Sequence, residues 1–121
     1  MHDLLRPVLH KAPVVGLQIH VGRSGLCIGD MAEVHLLAGG EVGVFAIGRA
    51  QWLGLFSHRK LLHLGQLDPV QAAPLIEPLM LGHHLRVRVV GITPEHLATE
   101  TGPEIFVSIW GNLPAQSAIF T

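Results

Sequence analysis

Charged residues are scarce in this chain, and their scarcity limits what it can bind through electrostatics alone. Asp, Glu, Lys and Arg make up 14% of its 121 residues, against roughly 25% in an ordinary soluble domain. Eight Lys and Arg residues nearly balance nine Asp and Glu residues, and the formal net charge is -1. Because no polybasic segment exists to attract phosphates over a distance, a purely electrostatic nucleic-acid binder is disfavoured.

Cysteine and long apolar runs are also nearly missing. The single cysteine, Cys27, cannot form an internal disulfide, so we expect a reducing, cytoplasmic environment. Residues 1–13 contain charged side chains and no continuous apolar segment, so we predict no signal peptide. The longest stretch without a charged residue, 105–121, is interrupted by polar residues and falls short of the ~20 apolar residues of a membrane span. No membrane partner is therefore expected.

Apolar residues, in contrast, are abundant. Hydrophobic residues make up 49% of the chain, and the mean hydropathy is +0.44. A single domain of this length buries about two-thirds of its unfolded surface, which is enough for a core without disulfides or metal. We expect part of the remaining apolar surface to meet a partner, most simply a second copy of the chain.

Turn residues divide the sequence into short apolar segments that have the length and alternation of β-strands. The segment 14–21, VVGLQIHV, alternates over most of its length. Two further segments flank the turn formers Ala38, Gly39 and Gly40 and predict a hairpin. The predicted strands comprise residues 14–21, 31–37, 41–47, 52–56, 61–67, 85–92 and 104–110.

One helix is predicted over residues 69–81. Asp68 can cap the first-turn amides, Pro69 occupies a position where a missing N–H costs nothing, and Gly82 ends the segment. Apolar residues at three- and four-residue spacing predict one buried stripe, formed by Ala73, Ile76, Leu79 and Met80. A proline inside a helix costs about 3 kcal/mol, so Pro74 and Pro78 leave open the alternative that this segment forms two short helices.

Six or seven short strands with one helical segment predict a mainly β fold. A small closed or partly open barrel is the favoured architecture, because closure hides the edges of the strands. In this organisation residues 1–13 form an N-terminal arm, residues 14–111 form the barrel, and residues 112–121 form a C-terminal tail.

Residues typical of catalysis or metal binding do not occur at recognised spacings. Nine histidines are an unusual number, but no HExxH motif and no zinc-finger spacing of cysteine and histidine occurs. Neither Cys27 nor any serine lies in a GxSxG-type turn. Glu33 and Glu41 occupy strand-end positions that are typical of solvent exposure. We therefore predict no enzyme, no metal site and no cofactor.

A basic and aromatic surface is predicted near the end of the sequence. Arg86 and Arg88 alternate with apolar residues, so both point away from the core. If segments 85–92 and 104–110 pair, the two arginines share a face with Phe106 and Trp110, and such a surface can stack a base and hold a phosphate. The alternative is a solvated face on which one arginine pairs with Glu104.

Four motifs occur in a characteristic order. They are VVGL at 14–17 followed by Gly22, the hairpin end Ala46-Ile47, LGQL at 64–67 before the helix, and SIWG at 108–111. In this order the chain resembles the HIRAN domain family over residues 14–111, as a divergent member of the stand-alone bacterial type. The resemblance implies a modified OB-like β-barrel with a helical segment. The best-studied members of that family bind single-stranded DNA by capturing the free 3′ hydroxyl end.

Carried over residue by residue, the binding positions of the family are largely replaced in this chain. The Arg and aromatic residues that clamp the terminal nucleotide correspond to positions 18–20, where His20 can stack and Gln18 can form hydrogen bonds. The Tyr and Asp that grip the terminal sugar correspond to Val42 and Gly43. The groove that the resemblance leaves is formed by Gln18, His20, Arg23, Gln66 and Arg86.

Two functions remain open at this point. The first is a non-enzymatic HIRAN-like module that binds single-stranded DNA ends weakly, because each lost base stack removes about 1–3 kcal/mol. The second is a protein-interaction or self-assembly module, such as a homodimer, that has lost nucleic-acid binding. The interface predicted for it centres on Val42, Phe45, Trp52 and Phe56, with Val44 and Leu53 beside them.

Overall fold

A computed structural model describes residues 6–47, 61–100 and 102–111 of the chain. Within these ranges it contains six β-strands and one α-helix. The strands are β1 Arg6–Val15, β2 Met31–Leu36, β3 Val42–Ile47, β4 Leu61–Leu67, β5 Leu85–Thr93 and β6 Glu104–Gly111, and the helix is α1 Pro69–Met80. Two 3₁₀ turns, Val21–Arg23 and Glu95–Leu97, lie in the connecting segments.

The six strands form a closed barrel in which every neighbouring pair is antiparallel. The order around the barrel is β1-β4-β3-β2-β5-β6, and β6 pairs with β1 to complete the ring. Closure pairs both sides of each described strand, so the sheet does not end in an open edge strand. The predicted mainly β barrel with one helical segment is confirmed.

Alternation along the strands fills the barrel with branched aliphatic side chains. On β5 the inward residues Val87 and Val89 are fully buried, whereas Arg86 and Arg88 are exposed, as predicted. The largest fully buried side chains of the core are valine, isoleucine and leucine, among them Val42, Val44, Leu64, Leu75, Ile105, Val107 and Ile109. Much of the apolar content of the sequence therefore lies inside the barrel.

The first strand lies earlier in the sequence than predicted. The prediction of a strand over residues 14–21 is wrong. The observed strand β1 spans Arg6–Val15, and the chain turns away at Gly16, which has a φ of +61°. Residues 6–13, predicted to belong to an arm before the barrel, lie in β1. Two register shifts against β6 interrupt its alternation, so the strand period cannot be read from the sequence.

The segment 16–30 links β1 to β2 and is fixed to two other strands on its way. The Gln18 backbone N–H donates to the Leu64 carbonyl of β4 at 2.8 Å, and the Gly29 N–H donates to the Val89 carbonyl of β5 at 2.7 Å. Leu17 and Ile19 pack partly buried against the core. Their alternation, which suggested a strand, therefore reflects packing of a connecting segment.

The later strands follow the prediction closely. The hairpin of β2 and β3 turns at residues 38–40, where Gly40 has a φ of +92°. Strands β4, β5 and β6 occupy the predicted segments to within two residues. The strand predicted over 52–56 lies outside the described residues.

The helix α1 is continuous, and the alternative of two short helices is not observed. The Asp68 carboxylate accepts a hydrogen bond from the Val70 N–H at 3.1 Å, and Gly82, with a φ of +83°, follows the last turn. The buried stripe differs from the predicted one, because Ala72 and Leu75 are buried while Met80 is 69% exposed. The helix packs against β2 and β3, which sets this rotation about its axis.

Gly65, in the LGQL motif, allows β1 to cross β4 at close range. A Cβ atom at this position would lie 2.5 Å from the Val15 carbonyl oxygen and 2.9 Å from a methyl group of Val14. Any larger residue would push the two strands apart at the end of their short ladder, Val14↔Leu67 and Val15↔Gln66.

Replacing Leu75 with Ala tests the attachment of α1 to the barrel. We expect a loss of about 2–5 kcal/mol in the free energy of unfolding, because this fully buried side chain would leave a cavity. Val70→Ala, on the same helix at a side chain that is 77% exposed, is the matched control and should change stability by less than about 0.5 kcal/mol. Urea denaturation of both variants measures the difference, and equal losses would contradict the packing described here.

Candidate nucleic-acid interface

The five residues predicted to contact nucleic acid lie on three different parts of the barrel. Gln18, His20 and Arg23 belong to the segment 16–30, Gln66 lies in β4, and Arg86 lies in β5. Gln66 in β4 lies near Gln18 in the segment 16–30, whereas Arg86 in β5 is remote from both.

Gln18 and Gln66 meet beside Gly16. The Gln18 side-chain amide donates to the Gly16 carbonyl at 3.1 Å. The Gln66 amide group lies within 3.6–3.7 Å of the position that a Cβ of Gly16 would occupy. The two glutamines therefore form one small polar neighbourhood at the end of β1.

His20 is engaged by a carboxylate that the sequence analysis did not single out. Glu95 accepts hydrogen bonds from the Val21 N–H at 2.7 Å and the Gly22 N–H at 2.8 Å. The same carboxylate lies 3.4 Å from His20 Nδ1. We call these contacts the Glu95 clasp. It binds the segment 16–30 to the loop after β5 and occupies the backbone donors that a phosphate would need beside His20.

The local environment of Glu95 acts on its pKa in two directions. Partial desolvation raises the pKa of the carboxyl group, but hydrogen bonds from backbone N–H groups, above all Gly22, and the nearby His20 ring outweigh it. The net result is a pKa below the ordinary value of 4.5. The clasp is therefore anionic at neutral pH.

Arg86 lies far from Gln18 and Gln66 along the outside of the barrel. It pairs with Trp110 of β6, and Trp110 pairs with Pro7 near the beginning of β1. Gln66 pairs with Val15 at the end of the same strand. At about 3.3 Å per residue, the two ends of β1 lie roughly 25 Å apart. The predicted set therefore does not form one binding site.

The outer surface of β5 and β6 brings a different group of residues together. Arg86 lies opposite Trp110, and Arg88 lies opposite Ser108, so the predicted pairing of the two segments is confirmed. These four residues line a shallow depression of about 450 Å³. Together with two neighbouring side chains they form what we call the basic–aromatic wall, composed of Lys11, Arg86, Arg88, Phe106, Ser108 and Trp110.

The arginines of the wall are not neutralised by acidic groups in the described ranges. Glu104, the predicted alternative partner, pairs with Thr93 at the other end of the β5–β6 ladder. The ion pairs found among the described residues are His20–Glu95 and His35–Glu33, neither of which involves an arginine. Arg88 makes one contact of 3.6 Å, from its guanidinium to Met31 Sδ. Both guanidinium groups are exposed and retain donors for a ligand.

The aromatic residues of the wall differ in their surroundings. The Trp110 side chain is 37% exposed. Phe106 is partly buried, with the Lys11 ammonium 4.7 Å from its ring centroid. Gly91 lies opposite Phe106 in the ladder, and a Cβ atom there would be 3.2 Å from Phe106 Cδ1. The absence of a side chain at Gly91 gives the phenyl ring its place against the sheet.

The residues predicted for a protein interface are only partly on the surface. Val42 and Val44 are fully buried in the core and are not available to a partner. Phe45 is stacked on His63, with ring centroids 4.6 Å apart, and meets His35 edge-on at 5.4 Å. Trp52, Leu53 and Phe56 lie outside the described residues.

Neither a metal centre nor a membrane helix is found among residues 6–47, 61–100 and 102–111. In these ranges no group of three or more His, Cys, Asp or Glu side chains is placed to hold a metal ion. No helix in the same part of the chain is long and apolar enough to cross a bilayer.

Comparisons with protein-family models, with curated proteins and with solved structures each found no match to this chain. The HIRAN resemblance therefore stays a prediction based on the four sequence motifs.

Replacing Glu95 with Gln tests the clasp. The folded-state pKa of Glu95 is lowered, so its stabilising contribution is present above the ordinary pKa of 4.5 and lost as the pH falls through the lowered value. Amide hydrogen exchange measured by NMR should therefore show Val21 and Gly22 protected at neutral pH and increasingly open in acid. In Glu95→Gln the two amides should exchange faster at neutral pH, and the acid-dependent step should disappear.

Glu100→Gln is the control for the loss of one negative charge, because Glu100 is exposed and lies in the same loop. Its Val21 and Gly22 amides should exchange as in the original protein. Unchanged exchange of both amides in Glu95→Gln at neutral pH would contradict the role assigned to the clasp.

Proposed function

We propose that the chain is a non-enzymatic module that binds single-stranded nucleic acid through the basic–aromatic wall. The observation that carries this proposal is the register of β5 and β6, which sets two exposed arginines opposite Trp110 and Ser108 around one depression. The HIRAN resemblance implies the same class of ligand, although the face proposed here differs from the positions carried over from the family.

Each part of the wall has a defined task in this proposal. The exposed part of the Trp110 indole stacks a base, which is a sequence-tolerant contact because every base has a π-face. Arg86 and Arg88 donate hydrogen bonds to phosphate oxygens, and their planar guanidinium groups suit this geometry. Ser108, which is buried at the floor of the depression, limits how deeply a base can enter.

The charge of the protein sets the expected strength of binding. With a net charge of -1, the chain supplies little long-range attraction, and the contact depends on the wall alone. The two arginine–phosphate contacts contribute about -1.4 to the slope of log K against log salt concentration. Binding should therefore be weak and only moderately sensitive to salt.

A free 3′ end is not required by this surface. The positions that correspond to the sugar-gripping residues of the family are Val42 and Gly43, and both are buried in β3. No polar side chain at these two positions can hold a terminal hydroxyl group. Oligonucleotides with a free or a blocked 3′ end should bind with equal affinity.

Replacing wall residues tests the proposed function. Fluorescence anisotropy with a labelled eight-residue oligo(dT) at low salt should show binding, and Trp110→Leu should weaken it by about 5- to 150-fold, the equivalent of one lost stack. Arg88→Gln should weaken binding and reduce the salt slope by about 0.7. Arg23→Gln, which removes an exposed cation outside the wall, is the matched control and should bind as before.

Two outcomes would overturn the proposal. One is no anisotropy change at about 100 μM protein, a concentration sufficient to detect binding free energies near -5.5 kcal/mol. The other is a loss of affinity in Arg23→Gln that equals the loss in Arg88→Gln, since the contact would then lie outside the wall.

The exposed free thiol of Cys27 agrees with the reducing cytoplasm in which we propose the module acts.

Self-association is a second candidate function, favoured by exposed apolar side chains at the two ends of α1. Val70 in its first turn, Met80 at its last residue and Leu81 directly after it are all more than two-thirds exposed, although they are large and apolar. Light scattering should show a dimer at high protein concentration, and Met80→Glu should return it to a monomer. A strict monomer over the whole concentration range would exclude this function, and oligonucleotide binding does not depend on it.

A further inference from the structure

The basic–aromatic wall has two aromatic side chains on one strand, and their separation defines a length. Phe106 and Trp110 lie four residues apart on β6 and on the same outer face. At about 3.3 Å per residue, this places them roughly 13 Å apart. A nucleic-acid strand with stacked bases advances about 3.4 Å per nucleotide, so the same distance corresponds to about four steps, which join the end bases of a segment of about five nucleotides.

The cations of the wall are distributed along this length. Arg86 is paired with Trp110 at one end, and Arg88 is paired with Ser108 midway. Lys11 lies at the other end, with its ammonium group above the Phe106 ring. Each aromatic position thus has a cation beside it, and one further cation lies between them.

The Phe106 ring is held in place and can serve as a stacking platform. It lies against the glycine gap at Gly91, where a Cβ atom would come within 3.2 Å of the ring. Pro13 is its partner in β1 on the other side. The Lys11 side chain covers the ring but is long, flexible and exposed, so it can move away when a base arrives.

Replacing the contact between Lys11 and the Phe106 ring with a stacked base is favourable in free energy. A cation–π contact at an exposed site is weaker than a stack between a base and an aromatic ring. A displaced Lys11 ammonium also gains a phosphate as its new partner, because the arriving nucleotide brings one.

We propose that the wall binds a segment of about five nucleotides laid along β6, with Trp110 stacking a base at one end and Phe106 stacking a base at the other. Lys11 leaves the Phe106 ring and contacts a phosphate at that end. This inference rests on the proposed function, since it concerns the same surface.

A length series of oligo(dT) ligands tests the inference. Two-, five- and eight-residue ligands are compared in competition anisotropy with the original protein and with Phe106→Leu. The affinity should rise from two to five residues and then change little. Phe106→Leu should weaken the five- and eight-residue ligands by about 5- to 150-fold and leave the two-residue ligand, which reaches only Trp110, unchanged.

Further variants separate binding effects from loss of structure. Phe106→Trp keeps a stacking ring and should restore the affinity for the five-residue ligand. Lys11→Gln, an exposed position that should not affect folding, should reduce the salt slope of the five-residue ligand by about 0.7 and leave that of the two-residue ligand unchanged. Leu97→Ala, at an exposed apolar residue outside the wall, is the matched control.

The outcomes distinguish this inference from the proposed function. If two- and eight-residue ligands bind equally, or if Phe106→Leu weakens both to the same extent, the five-nucleotide footprint is wrong while binding at Trp110 stands. If no ligand of any length binds, the proposed function is wrong as well. A Lys11→Gln protein with an unchanged salt slope also contradicts the footprint.

Discussion

The pairing of β6 with β1 is the constraint on which the rest of the structure depends. It turns a row of antiparallel strands into a ring, so alternate residues of every strand point into a common interior that water cannot enter. The ring accounts for the apolar composition, because the inward positions require valine, isoleucine and leucine. It also determines what is left outside: on β5 and β6 the outward positions carry arginines, a tryptophan and a phenylalanine, and these are the residues that give the wall its chemistry.

Local signals were sufficient to predict most of the barrel. Strands β2 to β6 have clear alternation or turn residues at their ends, and Asp68 and Gly82 mark the limits of α1. β1 was not predictable in the same way, because two register shifts remove its alternation while Leu17 and Ile19 imitate it in a connecting segment. The buried face of α1 was misplaced by one residue, since Ala72 and Leu75 rather than Ala73 and Ile76 meet the barrel most closely. The rotation of α1 about its axis is set by its packing against β2 and β3, and the sequence of the helix alone does not determine it.

The candidate site also contains contacts that could be predicted from the sequence and contacts that could not. The opposition of Arg86 and Trp110 follows from simple alternation on two adjacent strands, and the sequence predicts it once the strands are assumed to pair. The Glu95 clasp joins residues more than seventy positions apart through backbone donors, which carry no sequence signature. The position of Lys11 above Phe106 depends on the shifts within β1, so it too becomes visible only in three dimensions. Contacts within one ladder were accessible to sequence reasoning, and contacts between loops or across a bulge were not.

The same β1–β6 ladder has a consequence for how this barrel can be combined with other proteins. Arg6 is paired with Gly111, so the two ends of the described barrel leave it side by side. A barrel with adjacent ends can be inserted into a loop of a host protein without forcing that loop open. By the same geometry, joining the ends with a short linker and opening the chain at the turn 38–40 would give a circular permutant with every ladder preserved. The connectivity of the chain is thus separable from the architecture of the barrel.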